Sequence, residues 1–390
     1  MQNLINEARQ KAVELLLNNS TEHGILASST QPKAIGRNYL SIFSRDASIC
    51  SLGMVLSKDK KLINIAKKSI LSLAKYQADN GQIPNYVKPE KSFADFWYVG
   101  CIDATLWWLI AIKFFDSHTD EKIKLSKQLK NNITKAINWL SCQEHQKFHL
   151  LAQNEASDWA DIMPRSGFVL YTNSLWYWVK KEYNLPKLKE TKESFNYIFY
   201  PWQKIPAEFF DRNPHVEQII KKAQNKVAKQ NNFLSFANYF FYGEEIDVYG
   251  NLLAILSGVA DKKIEKIIIK SFIDEKANQP WPIKTVLKPI KETSKNWREY
   301  MDMHNQNHPN QYHNGGIWPF IGGFWVIALL KTNHYKLAKE ELQCLAKLNH
   351  QNNWGFNEWF HGKTGKPMGM TGQSWNAAMY LLAFELTNKK

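Results

Sequence analysis

The sequence is poor in the features that mark secreted, membrane-spanning and sheet-rich proteins. Its four cysteines in 390 residues show neither close pairing nor metal-ligand spacing, so we predict buried, reduced thiols that hold no metal. We expect no metal and no organic cofactor. No uninterrupted apolar run reaches the ~18 residues of a membrane span, and the N-terminus has no charged segment followed by an apolar one. Alternation with period two is nearly absent. These absences predict a helical, cytoplasmic protein without a membrane partner.

Acidic residues are outnumbered by basic ones, 36 against 50, which gives a formal net charge of +14. A nucleic-acid-binding protein would cluster its lysines and arginines around a recognisable reading motif. Here the lysines are scattered over polar helix faces, for example in residues 58–68, 122–135 and 262–270. We interpret them as a solvated surface and predict no nucleic-acid partner.

Helical periodicity recurs in units that each contain an apolar, aromatic helix and a lysine-rich amphipathic one. The apolar members begin near six positions, which are Asp46, Asp103, Tyr171, Gly250, Gly316 and Gly372. A helix that is apolar nearly all round is buried, whereas one with a lysine face lies outside. Six alternating pairs predict an all-α fold, a single (α/α)6 barrel or six-hairpin toroid, as one domain over residues 1–390. The loops before the inner helices would surround one concave mouth.

The first of three chemically rich segments in these loops is residues 154–165 (NEASDWADIMPR). It holds three carboxylates, a tryptophan and an arginine, and Pro164 indicates a loop rather than a helix. Acidic neighbours and Trp159 would raise the pKa of Asp161, as a general acid requires. A loop that merely caps the following helix explains the composition equally well.

The second segment comprises residues 354–362 (WGFNEWFHG) and 369–375 (GMTGQSW). Glu358 stands alone among aromatic and glycine residues, where desolvation is costly unless the carboxylate is paired or used. A glutamate that only anchors a loop is the alternative. The third segment, residues 311–319 (QYHNGGIWP), follows His304 and His308, but these histidines do not share one helix face and predict no zinc site.

These segments, together with residues 38–46 (NYLSIFSRD), 81–85 (GQIPN) and 103–108 (DATLWW), resemble the (α/α)6 glycosidases. That group includes the amylo-α-1,6-glucosidase domain of debranching enzymes, the alkaline/neutral invertases, and the trehalase and mannosylglycerate hydrolase clan. The resemblance extends in order from about residue 36 to residue 385. One departure from the group is that the β-sandwich or transferase domain of full debranching enzymes is not found.

The resemblance implies two catalytic carboxylates. The general acid of the trehalase and mannosylglycerate group precedes an arginine by four residues, which corresponds to Asp161 and Arg165 here. The base is a glutamate in the late aromatic loop and corresponds to Glu358. Because the interval from Glu155 to Asp161 is two residues longer than in the clan's motif, Asp158 remains a rival acid. The implied substrate-binding residues are Arg45, Asp46, Asp103, Trp107, Glu155, Asp158, Arg165, His313, Asn314, Trp318, Gln373 and Trp375.

The expected activity is an inverting, exo-acting glycosidase that releases a terminal sugar, glucose, from a small α-glucoside or short glucan. Inversion suits carboxylates from opposite sides of a barrel mouth, because they can stand the ~6.5–9.5 Å apart that leaves room for water. Sucrose cleavage of the neutral-invertase kind and hydrolysis of mannosylglycerate or glucosylglycerate are alternatives. A sugar epimerase would need a second histidine beside His313, and a non-catalytic sugar-binding barrel would not need the two carboxylates. The sequence does not indicate an oligomeric state.

Overall fold

The computed structural model describes residues 2–97, 100–212, 214–238 and 241–389. Its helices are α1 (Gln2–Asn18), α2 (Pro32–Gly36), α3 (Ser44–Leu56), α4 (Lys60–Lys75), α5 (Ile102–His118), α6 (Leu125–Gln128), α7 (Lys130–Ser141), α8 (Leu170–Glu182), α9 (Leu188–Phe199), α10 (Ala207–Phe210), α11 (Pro214–Lys226), α12 (Val248–Ser257), α13 (Lys262–Asp274), α14 (Pro319–Lys331), α15 (Tyr335–Trp354) and α16 (Ser374–Asn388). Short 3-10 helices cover Pro89–Lys91 and Glu299–Asn305. The strands are β1 (Ile42–Phe43), β2 (Tyr86–Lys88), β3 (Phe93–Asp95), β4 (Ala152–Gln153), β5 (Gly167–Val169), β6 (Phe236–Ala237), β7 (Trp359–Phe360) and β8 (Pro367–Met368). The fold is mostly helical, as predicted.

The most apolar helices contact one another in a closed order. Helix α3 packs on α5, α5 on α8, α8 on α12, α12 on α14, α14 on α16, and α16 again on α3. Every residue of α3 except Arg45 is buried, and in α14 only Ile327 and Lys331 are not. A helix with apolar residues on all sides is most stable when every side packs against protein. Within the described ranges, these six helices therefore form the core of the fold.

The amphipathic helices form a second layer outside this core. Helix α4 packs on α3, α7 on α5, α9 on α8 and α15 on α14, while Phe272 of α13 contacts Trp325 of α14. The buried residues of α4 recur at helical spacing on one face, and its lysines lie on the other. Helix α1 packs on both α15 and α16 and takes the outer position beside the last core helix.

The six predicted starts of the apolar helices agree with the structure to within about three residues. Helix α5 begins one residue before Asp103, whereas the largest difference is at α14, which begins at Pro319, three residues after Gly316. Proline has no backbone N–H to donate and a φ suited to the first helical turn, so the helix starts there.

Short strands lie in the loops that lead into the core helices. They pair antiparallel in the orders β1–β2–β3, β4–β5–β6 and β7–β8. Strand β1 ends where α3 begins, and β5 ends where α8 begins. Strands of two or three residues are too short to produce a period-two pattern, which is why the sequence did not reveal them. Among the described residues, no helix has both the length and the apolarity that a bilayer crossing requires.

Candidate active site

A cavity of about 260 Å³ opens where the loops before several core helices meet. Its wall is formed by Arg37, Asn38, Tyr39, Phe43, Arg45, Asp46, Asn85, Tyr86, Asp95, Trp97, Cys101, Asp158, Trp159, Asp161, Tyr312, His313, Trp318, Gln373 and Trp375. These side chains come from the segments before and at the starts of α3, α5, α8, α14 and α16. We call this space the first cavity.

Arg45 reaches the wall of the first cavity from the first turn of α3. Its Nε lies 2.7 Å from Oδ2 of Asp103, whose side chain is fully buried and also accepts a hydrogen bond of 2.8 Å from the Tyr171 hydroxyl. The hydrogen bond from Tyr171 fixes the Asp103 carboxylate, and the carboxylate in turn holds the Arg45 guanidinium in place. Asp46, beside Arg45, lines the cavity, and burial raises its pKa to about 7.

Asp158 and Asp161 both line the first cavity but differ in what their oxygens do. Asp158 is 2% exposed, and it accepts hydrogen bonds from the Ala160 backbone N–H at 2.8 Å and from Gln153 at 2.9 Å. The side chain of Asp161 is 48% exposed, and its Oδ1 lies 3.9 Å from Nδ1 of His313. Asp158 thus stabilises its own loop through hydrogen bonds, while the carboxyl group of Asp161 is accessible from the cavity.

The pKa of Asp161 is raised to about 6. The largest cause is desolvation, because the carboxyl group is open to the cavity but surrounded by protein. The Arg45 guanidinium opposes this rise, and the charge of Asp158 adds to it. A carboxyl group with this pKa keeps a substantial protonated fraction near pH 6 and can give that proton to a departing oxygen.

Glu358 is fully buried and lies behind the wall of the first cavity. The Tyr39 hydroxyl donates a hydrogen bond of 3.0 Å to its Oε1, and the Met370 backbone N–H donates one of 3.2 Å to Oε2. Gly369 passes so close, with φ +71°, that a Cβ there would collide with the Glu358 carboxylate. Burial raises the pKa of Glu358, and the Tyr39 hydrogen bond opposes the rise. Tyr39 itself lines the cavity and connects it to Glu358.

His313 lies between aromatic rings at the wall of the first cavity. Its ring stacks on Trp318 with centroids 5.4 Å apart and meets Trp159 edge-on at 4.8 Å. Burial and the nearby Arg165 and Arg45 guanidinium groups lower its pKa well below the usual value. The imidazole is therefore neutral near pH 7.

Several polar atoms at the wall of the first cavity are buried without a hydrogen-bond partner among the described residues. They are the amide nitrogen and oxygen of Gln373, the indole nitrogens of Trp159 and Trp375, and Nδ1 of His313. Buried polar groups are normally satisfied, and leaving one unpaired costs ~1–3 kcal/mol. The unpaired donors and acceptors could bond to the hydroxyls of a sugar, and the flat aromatic faces beside them could pack against its apolar ring face.

A second cavity of about 570 Å³ adjoins the first. Its wall is formed by Gly36, Arg37, Tyr39, Trp97, Glu155, Ala156, Asp161, Ile162, Tyr300, Met303, His304, Gln306 and Tyr312. Arg37, Tyr39, Trp97, Asp161 and Tyr312 line both cavities. Asp161 consequently stands at the boundary between the two spaces.

The structure brings most of the predicted substrate-binding residues to these walls. Arg45, Asp46, Asp158, His313, Trp318, Gln373 and Trp375 line the first cavity, and Glu155 lines the second. The carboxylate of Glu155 is held there by Arg298 at 3.1 Å and the Tyr300 hydroxyl at 2.8 Å.

Four other predicted residues, Asp103, Trp107, Arg165 and Asn314, are buried away from both walls. As described above, Asp103 holds Arg45. Trp107 donates to the Tyr171 hydroxyl at 2.8 Å in the core, and Arg165 pairs with Asp247 at 3.1 Å. The Asn314 side chain bridges backbone groups, including Ile290 N–H at 2.8 Å. These positions suit residues that support the site rather than touch a ligand.

Sequence reasoning did not single out Arg37, Tyr39, Asn85, Asp95 or Trp97 as site residues, although all line the first cavity. Tyr39 and Asn85 belong to the segments that resemble the (α/α)6 glycosidases. Asp95 and Trp97 reach the mouth because β2 and β3 form a hairpin, in which Asn85 donates to Asp95 at 3.2 Å. Such a short hairpin leaves little signal in the sequence.

The histidines of residues 304–313 do not converge. His308 is bonded to Glu292 and Asn305, each at 2.9 Å, whereas His313 lies in the aromatic cluster and His304 lines the second cavity. Over the described ranges, no group of three or more His, Cys, Asp or Glu side chains is arranged to hold a metal ion.

Known proteins resemble this chain both in fold and in part of the sequence. The fold is similar to that of GH63 mannosylglycerate hydrolase from Thermus thermophilus, with a TM-score of 0.66, 13% sequence identity and coverage of 96% of this chain and 99% of that one. A structure described as a novel alpha-amylase from Clostridium perfringens superposes with a TM-score of 0.59, 13% identity and 97% of each chain. These matches show that the chain shares the fold of this class of glycosidases, as the predicted resemblance implies.

Within that class, the family model described as alkaline and neutral invertase matches residues 239–390. Cytosolic invertase 1 of Oryza sativa subsp. japonica is 28% identical over 140 residues, which are 34% of this chain and 24% of that protein. Alkaline/neutral invertase C, mitochondrial, of Arabidopsis thaliana is 28% identical over 144 residues, 35% of this chain and 21% of that one. The matched segment thus spans about a quarter of the length of these curated relatives.

Proposed function

We propose that this protein is an inverting, exo-acting glycoside hydrolase that removes a terminal glucose from an α-glucoside. The observation that carries the proposal is the first cavity, where a half-exposed aspartate of raised pKa faces aromatic rings and buried, unpartnered hydrogen-bonding groups. Sugar hydroxyls would satisfy those groups, and the ring faces would pack against a pyranose.

We further propose that the six core helices are the inner wall of an (α/α)6 barrel formed by a single domain over residues 1–390. The closed order of contacts from α3 to α16 and the amphipathic helices outside them support this architecture. Both cavities then lie at one mouth of the barrel, where the loops before the core helices meet.

In the proposed reaction, Asp161 gives its proton to the glycosidic oxygen as the bond to the anomeric carbon breaks. A water molecule attacks the other face of that carbon, and its proton ends on Glu358. Tyr39 stands between the cavity and Glu358, so we place it in the path of the proton. The Tyr39 hydroxyl would receive the proton of the water as it passes its own to Oε1.

The order of the core helices supports inversion. Asp161 precedes α8, the third helix of the ring, and Glu358 precedes α16, the sixth. Third and sixth positions of a ring of six are opposite each other. Carboxylates on opposite sides of a sugar leave room for water, whereas retention brings them to ~5 Å.

Sucrose is a second candidate substrate because of a specific observation. The segment that matches the invertase model includes Tyr312, His313, Gln373 and Trp375 of the first cavity, together with Glu358. Sucrose is itself an α-glucoside, so the same glucose site would serve both candidates. The cytosolic name of one relative and the four free cysteines support a cytoplasmic location.

The experiment that tests the proposal is incubation of the purified protein with a panel of glycosides, followed by measurement of released monosaccharide. The panel contains sucrose, trehalose, isomaltose, panose, mannosylglycerate and glucosylglycerate. We expect glucose from at least one α-glucoside, and release that is slower by about a hundredfold or more with the Asp161→Asn or Glu358→Gln variants. Absence of any monosaccharide, or equal release by the variants, would overturn the proposal.

A further inference from the structure

The second cavity has no assigned ligand, and its position suggests one. It meets the first cavity along Asp161, Tyr39, Arg37, Trp97 and Tyr312. If Asp161 protonates the glycosidic oxygen, the sugar lies on one side of it and the leaving group on the other. The second cavity therefore receives the leaving group, and this step rests on the proposed function.

The two cavities differ in size. The second has about 570 Å³, and the first has about 260 Å³. A leaving group of one hexose or one small acid would occupy a space comparable to the sugar site. The larger volume fits a leaving group more extended than the sugar that is released.

The wall of the second cavity is rich in apolar surface. Ile162 and Tyr312 are buried members of this wall, while Met303, which also belongs to it, is 46% exposed. The wall therefore offers apolar surface to a ligand both from buried side chains and from Met303.

The charged groups of this wall, Arg37, Glu155 and Asp161, are partly engaged with neighbours. Both oxygens of Glu155 are bonded, one to Arg298 and the other to the Tyr300 hydroxyl. The Arg37 guanidinium donates to the Gln306 side chain at 3.3 Å, and Asp161 lies on the same wall. A leaving group gains more here from contact with apolar surface than from charge.

We propose that the second cavity selects glucosides whose leaving group presents an extended apolar surface. Discrimination between substrates then arises on the leaving-group side, since the first cavity holds the same glucose in each case. Contact with the leaving group raises kcat/KM because it stabilises the transition state relative to the free substrate.

The test is the hydrolysis of methyl, butyl and hexyl α-glucosides below their micellar concentrations. Their leaving groups are all simple primary alcohols or methanol, so apolar length is the main variable. We expect kcat/KM to rise at least about tenfold from methyl to hexyl, because each added methylene leaves water. Met303→Ser should reduce that ratio severalfold, mainly through slower hydrolysis of the hexyl glucoside. Ile123→Ser, which removes another exposed side chain remote from both walls, is the matched control and should change neither.

If kcat/KM is the same for methyl, butyl and hexyl α-glucoside while the protein hydrolyses another α-glucoside, this inference is overturned and the proposed function stays intact. Faster hydrolysis of glucosylglycerate than of hexyl glucoside would overturn it in favour of a leaving group held by Arg37. If no glycoside is hydrolysed, the proposed function fails. The dissociation constants of methyl and hexyl glucoside, read from tryptophan fluorescence, then decide the inference, because equal constants contradict it and at least about tenfold tighter hexyl binding supports it.

Discussion

At the scale of single residues, the choice between Asp158 and Asp161 as the general acid depends on which of them has a carboxyl oxygen available to the substrate. Asp158 uses both oxygens within its loop, whereas Asp161 faces the two cavities. We predict that Asp161→Asn lowers kcat by ~10²–10⁴ with little change in Tm, since it removes a proton donor without altering shape. Asp158→Asn should retain far more activity. The opposite ranking, measured with the best glycoside of the panel, would transfer the acid role to Asp158.

The raised pKa values of Asp161 and Glu358 predict the pH profile of kcat/KM. Asp161 must be protonated to act, and its pKa is raised to about 6 by burial, so activity should fall as pH rises through that value. Glu358 must be ionised, and its raised pKa means that activity is lost as pH falls. Because the charge of Asp158 helps to raise the pKa of Asp161, Asp158→Asn should move the alkaline limb to lower pH. An alkaline limb that stays in place in this variant would contradict the assignment.

Gln373 allows a functional role to be separated from a structural one. Its amide is 1% exposed, lines the first cavity and has no hydrogen-bond partner among the described residues. We predict that Gln373→Leu lowers kcat/KM at least about tenfold while Tm stays equal or rises, because an unpaired buried amide disfavours folding. A matched fall in Tm and activity would show that the amide supports the fold instead.

At the scale of secondary-structure elements, a buried glutamate makes the packing of α15 depend on pH. Glu341 is 4% exposed, accepts a hydrogen bond from Asn278, and has a pKa raised to about 7 by burial. A folded-state pKa above the usual value means that stability is highest below the usual pKa and is lost as pH rises through about 7.

Glu341→Gln should therefore raise the free energy of unfolding by about 2–3 kcal/mol at pH 8 and have little effect near pH 4.5. Urea unfolding at both pH values measures the difference. Glu340→Gln, at the exposed neighbouring position, is the control. The charge of Glu340 is the smallest cause of the raised pKa of Glu341, so its removal should give a far smaller gain at pH 8 and little effect near pH 4.5. An equal gain at both pH values would show that packing rather than ionisation is responsible.

At the scale of the whole molecule, the proposed barrel would place α8 and α16 on opposite sides and so predicts the stereochemistry of the product. Water that attacks from the Glu358 side while Asp161 protonates the leaving oxygen inverts the anomeric carbon. An α-glucoside should thus release β-glucose first, which proton NMR detects before mutarotation mixes the anomers. Early appearance of α-glucose would mean retention and would exclude Glu358 as a base acting on water.

The sequence by itself determined the helical fold, the starts of the core helices and the loops that form the site. Apolar residues on every side of α3, α5 and α14 require burial, and lysines on one face of α4 require solvent, whatever the tertiary arrangement. Acidic and aromatic residues gathered before those helices were therefore expected at a common mouth. Asp161, Gln373 and Trp375 do lie there.

Only the tertiary structure decided which of these side chains reach the cavities. Arg165 belongs to the same segment as Asp161, and Asp103 belongs to another segment that carried the resemblance. Each is nevertheless drawn into a buried ion pair, Asp103 with Arg45 and Arg165 with Asp247. Tyr39 approaches Glu358 across 319 residues of sequence, a contact that no local pattern encodes. Periodicity reports which face of a helix is buried, whereas the partner of a loop side chain depends on how distant loops meet, and that is set by the packing of the whole ring.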